Sequence, residues 1–143
     1  VLHFRVRKQK GKDHKTGMGL DKEAFYDRSL VSFLPTALCF PGYDAKGSDL
    51  PPPPICWDTW HGQVLDHIGP PQVRLIIGAY AIGRHLGRKG PLGAIIADWR
   101  SFEDGTFVLP HPSWRNTGWL KKNPWFEAEL LPELRAAVAK VMK

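Results

Sequence analysis

The residues best placed to do chemistry lie in Thr106-Phe-Val-Leu-Pro-His-Pro-Ser-Trp-Arg-Asn116. A short β-forming run ends at Leu109, and His111 follows between Pro110 and Pro112. Proline fixes its own φ and restricts the residue before it, so the imidazole sits in a stiff turn. A histidine held in this way offers a fixed N–H donor, and the end of a strand is where open α/β sheets bind their ligands. Two thiols, Cys39 and Cys56, form a second candidate, able to pair with each other or to act as ligands. A zinc site drawn from Cys39, Cys56, His61 and His67 is poorly spaced, because the two histidines are six apart and off a common helix face. No metal site is expected. Asp44, Asp49 and Asp98 are the carboxylates available to activate a water, although capping and solvated roles suit each of them better.

The elements that must position these groups can be read from periodicity and punctuation. Asp21 can cap a short helix over Lys22–Tyr26. Leu30–Phe40 is apolar enough for a buried strand, with an irregular second half set by Pro35. Residues 41–55, with Gly42, Gly47 and the run Pro51–Pro54, form an extended loop. A helix over Trp57–Ile68 is expected to bury Trp60, Val64 and Ile68. Val73–Gly78 is the clearest strand, and it leads into a helix over Gly78–Leu86 that Gly87 ends. Another helix over Leu92–Trp99 precedes the strand Thr106–Leu109. Asn123 is expected to cap a last helix with Pro124 at its first position and an apolar stripe of Phe126, Leu130, Leu134, Val138 and Val141, kinked or restarted at Pro132. Alternating strands and helices imply a parallel sheet packed between helices.

The 143 residues suit one domain with a real core, and 43% hydrophobic with 24% charged residues excludes wholesale disorder. No apolar run is long enough to span a membrane and no secretory signal is evident, so a soluble, cytoplasmic protein is expected. Two cysteines do not make a disulfide-stapled secreted scaffold. Nearly all of the formal charge of +6 falls in residues 1–15, where Arg5, Arg7, Lys8, Lys10, Lys12 and Lys15 face only Asp13. The chain thus divides into a basic arm over 1–16, which could track phosphates or be a solvated tail, and a domain over 17–143.

The segment from His111 through Leu131, including Lys121-Lys-Asn-Pro-Trp-Phe-Glu127, resembles the bacterial uracil-DNA glycosylase-like branch of the uracil-DNA glycosylase superfamily. Phe25-Tyr-Asp27, Leu38-Cys-Phe-Pro-Gly42, Gly47-Ser-Asp-Leu-Pro-Pro52 and Leu75-Ile-Ile-Gly78 are similar in the same order, so the resemblance covers roughly residues 17–142. It implies a three-layer α/β/α fold with a short, mostly parallel central sheet, and it leaves open whether the first strand is missing. The implied activity is hydrolysis of the N-glycosidic bond of a base, uracil or a related deaminated one, flipped out of DNA during base-excision repair. In that reading His111 stabilises the charge gathering on the leaving base. Ser113 holds a phosphate, and Trp114, Arg115 and Asn116 form a loop that enters the duplex. Lys121 and Lys122 bind phosphate beside a helix N-terminus. Thr36, Phe40 and Tyr43 are the candidates to contact the flipped base. For Trp119 and Trp125, core packing is the stronger expectation.

Two features depart from the family's pattern. The Gly-rich first motif that positions the attacking water has no match in residues 1–30, and Pro35 stands where several branches place an Asn that reads uracil. No cofactor is expected: Cys39 and Cys56 fall where two of four cluster-binding cysteines lie in the iron–sulphur branches, and two thiolates do not hold such a cluster. The expected partner is lesion-containing DNA, single- or double-stranded. The alternatives are a catalytically degenerate or truncated member that only binds DNA, and a structural domain in which the His-Pro-Ser turn is a stiff corner.

Overall fold

The computed structural model describes residues 19–113 and 116–142, and the basic arm lies outside the described residues. Two strands, β1 (Arg74–Ile77) and β2 (Thr106–Leu109), pair in parallel, with Arg74 opposite Thr106 and Ile77 opposite Leu109. After a polar first residue, Arg74 or Thr106, each is a short apolar run, and all four positions of β2 are buried, as strands covered on both faces require. Parallel neighbours need a crossover, which here carries α4 (Gly78–Leu86) and α5 (Leu92–Ala97). Gly87 ends α4 in the left-handed conformation expected of it. The fold is α/β. Leu75, Ile76, Val108 and Leu109 form the centre of its core, closed by Ile82, Ile96, Trp99, Leu130 and Leu134 from the helices.

Near the start of the described chain, α1 (Lys22–Tyr26) is capped as anticipated, with Asp21 Oδ1 accepting from the Ala24 N–H at 2.8 Å, and it buries Phe25. The strand expected over Leu30–Phe40 does not form. Residues from both this segment and β1 line a cleft of about 470 Å³, among them Leu30, Val31, Arg74 and Leu75. With no ladder to join, the segment stays irregular, and within it only Leu34 is fully buried. Pro35 removes a donor that such a ladder would need.

The helix after the proline run begins earlier than expected and is not uniform. It consists of α2 (Pro54–Cys56), a π turn (Trp57–His61) and α3 (Gly62–Ile68). The wider turn shifts the helical phase, so the face anticipated as buried faces outward: Trp60 is 52% and Ile68 41% exposed, and only Val64 is half-buried. The residues that go inside are Cys56 and His61, five apart and one π turn from each other.

Toward the C-terminus, α6 (Thr117–Lys122) ends at Asn123, which was expected to start the next helix. Its side-chain amide donates back to the Trp119 carbonyl at 2.8 Å, while its oxygen accepts from Trp125 Nε1 at 3.1 Å. A π turn (Phe126–Leu130) then leads into α7 (Leu131–Val141), where Pro132 sits in the first turn and needs no donor. Phe126, Leu130, Leu134 and Val138 are buried as expected, and Val141 is half-buried. Arg100 ties α7 to the segment before β2: it pairs with Glu129 and Glu133 at 3.1 Å each and lies 4.1 Å over the Trp99 ring. Among the described residues no helix is long and apolar enough to cross a membrane.

Candidate active site

Because β1 and β2 run parallel and in register, they end side by side, and the residues that follow them become neighbours. Gly78 turns from β1 into α4 at a φ of +82°. A Cβ built there would lie 3.6 Å from His111 Cβ and 3.8 Å from Cδ2, so the imidazole rests directly on this turn. His111 itself is exposed. The first residue of a nine-residue helix therefore lies against the histidine, and the positive end of the helix dipole favours negative charge arriving at the same place.

The turn beyond His111 is held by its own hydrogen bonds. The His111 carbonyl accepts from the Ser113 N–H at 2.7 Å and from the Asn116 side-chain amide, while the Asn116 N–H donates to the Ser113 carbonyl at 3.0 Å. Three of the sequence-derived site residues, His111, Ser113 and Asn116, are thus brought into one unit. Asn116 folds its side chain back onto that unit. Trp114 and Arg115 lie outside the described residues. Lys121 and Lys122 are exposed in the last turn of α6, where cations complement the helix dipole, immediately before the next helix begins. Trp119 and Trp125 are half-buried and edge-to-face at 5.9 Å between ring centres, packed on the core as expected.

The aromatic candidates form a second group. Phe40 and Tyr43 are 66% and 64% exposed and meet edge to face at 5.0 Å. Tyr43 also bridges to Asp49 across the tip of a loop that Asp44 closes, its Oδ1 accepting from the N–H groups of Lys46 and Ser48 at 2.8 Å each. Thr36 is half-buried. Of the three carboxylates, Asp44 therefore caps a loop, and Asp98 is engaged by Arg88 at 3.3 Å and Ser101 at 2.7 Å.

Cys39 and Cys56 bring their sulfurs to 2.6 Å, with Cys39 exposed and Cys56 buried. Their shared hydrogen bond raises the pKa of Cys39 and lowers that of Cys56. This contact lashes the end of α2 to the segment carrying Thr36 and Phe40. Among the described residues no group of three or more His, Cys, Asp or Glu side chains could hold a metal ion.

A third cluster was visible in the sequence only as a poor zinc site. His61 is 1% exposed, stacks on Trp57 at 4.1 Å between ring centres, and lies 6.2 Å from His85 of α4. Arg84 approaches the same Trp57 ring at 5.8 Å. Burial pushes the His85 pKa down to about 4. It lowers that of His61 as well, against the pull of the Pro35 and Thr36 backbone. The signal for His61 was its place five residues after Cys56, which only a π turn turns into a shared face.

Two clefts of about 550 and 470 Å³ open at the amino ends of the strands, and neither is lined by His111. His111 sits at the opposite, carboxyl edge, the edge at which open α/β sheets bind ligands. A protein-family model described as the uracil DNA glycosylase superfamily matches residues 2–135, a span that takes in both strands, the 111–116 turn and the chain into α7.

Proposed function

Because the chain belongs to the uracil DNA glycosylase superfamily, we propose that it hydrolyses the N-glycosidic bond of uracil, or a related deaminated base, flipped out of DNA. A glycosylase-like role in DNA repair goes with that membership, and DNA is the molecule such proteins act on. The observation that carries the finer reading is the placement of His111 against Gly78, at the carboxyl edge of the parallel pair and beside the start of α4. As the bond from the sugar to the base stretches, the sugar becomes oxocarbenium-like and the bonding electrons move onto the base, whose O2 becomes negative. The His111 N–H donates to that oxygen, and the positive end of α4 acts in the same direction. Water then adds to the sugar carbon and yields free base and an abasic site.

In this reading Thr36 contacts the base edge, and Phe40 with Tyr43 offers aromatic faces for it to stack on. Ser113, Trp114, Arg115, Lys121 and Lys122 make the DNA-facing side, with the two lysines and Arg115 neutralising phosphates, while Asn116, its amide on the His111 carbonyl, braces the turn from within. No cofactor takes part. A second reading, a DNA-binding member without turnover, is favoured by one specific observation: Asp44 caps its own loop and Asp98 is held by Arg88 and Ser101, so two of the three carboxylates available to activate water are already engaged. Incubation with uracil-containing and matching thymine-containing oligonucleotides separates the two. Free uracil released only from the former supports the glycosylase. Salt-sensitive binding to both with no free base supports the binding module.

A further inference from the structure

Resting on the base-recognition reading above, we propose that His61 is a positioning residue for the flipped base, holding the Pro35–Thr36 backbone from behind when the base is bound. His61 is among the most completely buried side chains of the described residues, and among these residues both of its ring nitrogens are sealed from solvent without a hydrogen-bond partner. A polar group left so costs stability, and such a group in a native fold calls for a reason. Its ring has little freedom to search for a partner. Trp57 stacks on one face, and the π turn over Trp57–His61 directs it inward beside Cys56.

Cys56, at the head of that turn, touches Cys39, so the helix carrying His61 is fastened to the segment that holds Thr36 and Phe40. The backbone of Pro35 and of Thr36 acts on the His61 ring and favours its protonated form, the effect of carbonyl oxygens facing a ring N–H. Neither closes into a hydrogen bond with the ring among the described residues. Hydrogen bonds that serve binding are often long in the free state and tighten only in the complex. A small shift of the Pro35–Thr36 backbone toward the ring, made when a base settles on Thr36, would satisfy the orphaned donor. Binding of the base would then gain a bond to the His61 ring.

The test compares the full chain with His61→Phe, which keeps a ring on Trp57 and deletes both nitrogens, and with His61→Asn, which keeps a donor. Affinity is measured for two oligonucleotides, one carrying non-cleavable 2′-fluoro-deoxyuridine and one carrying a tetrahydrofuran abasic analogue. The expected result is that His61→Phe weakens binding of the uracil strand about fivefold to tenfold. Binding of the abasic strand is unchanged, thermal stability is equal or higher, and His61→Asn recovers part of the loss. Equal weakening on both strands, or no change on either, overturns the proposal, because a merely structural histidine would not discriminate between them. If His61→Phe does not fold, His61→Leu takes its place, and an unchanged uracil preference in that variant overturns the proposal. A parent chain that binds both strands equally overturns the base-recognition reading itself, and this inference with it.

Discussion

His111 owes its rigidity to more than the two prolines beside it. Its carbonyl accepts two donors, the Ser113 N–H and the Asn116 amide, so the turn closes on itself before any substrate arrives. A donor that stabilises developing charge must be fixed in advance, since reorganising it during the reaction would return what it contributes. Asn116→Ala removes the side-chain arm of that closure while leaving a half-buried position filled. Single-turnover base release is expected to fall roughly tenfold through misplacement of the imidazole. Stability, followed by urea denaturation, should change by about 1 kcal/mol or less. His111 was legible in the sequence because prolines mark a stiff corner at a strand's end. The part played by Asn116 was not, since nothing in residue type says whether an amide points out to DNA or back to its own chain.

At the scale of elements, the site exists because two strands share one register. Ile77 and Leu109 are paired, so the chain leaving β1 must pass beside the chain leaving β2, and Gly78 is the residue on which His111 rests. Gly78→Ala would place a methyl group in contact with the imidazole and force an L-residue to a φ of +82°. A cost of about 1–2 kcal/mol is expected in denaturation. Base release should fall by more than that loss explains, because the histidine itself shifts. The strands, α4, and the buried stripe of the last helix could all be read from β-branched runs, Gly87 and fourfold spacing. The helix over Trp57–Ile68 was readable in extent but not in facing, because a π turn resets the phase that the periodicity assumes. Leu30–Phe40 was misread for a related reason: apolar composition marks burial, whereas a strand also needs a neighbour to pair with.

For the molecule as a whole, the cluster of Trp57, His61 and His85 joins the Cys56 helix to α4 and makes the fold sensitive to acid. His85 has a pKa of about 4 in the folded chain against an ordinary 6.5, chiefly through burial. Between those values the unfolded chain binds the extra proton, so stability is fully present above about pH 6.5 and is lost as the pH falls toward 4. Thermal midpoints measured from pH 7 to 4 should decline across that window, and His85→Gln should flatten part of the decline. A decline identical in the variant would remove His85 as its source. In the proposed function, the carboxyl edge of the parallel pair, with His111 on it, is where a base leaves DNA. Its most direct test is single-turnover release of uracil from an oligonucleotide by the parent chain and by His111→Ala. The account predicts release by the parent and a loss of about 10²-fold or more in the variant. Release that proceeds equally fast without the imidazole would contradict it.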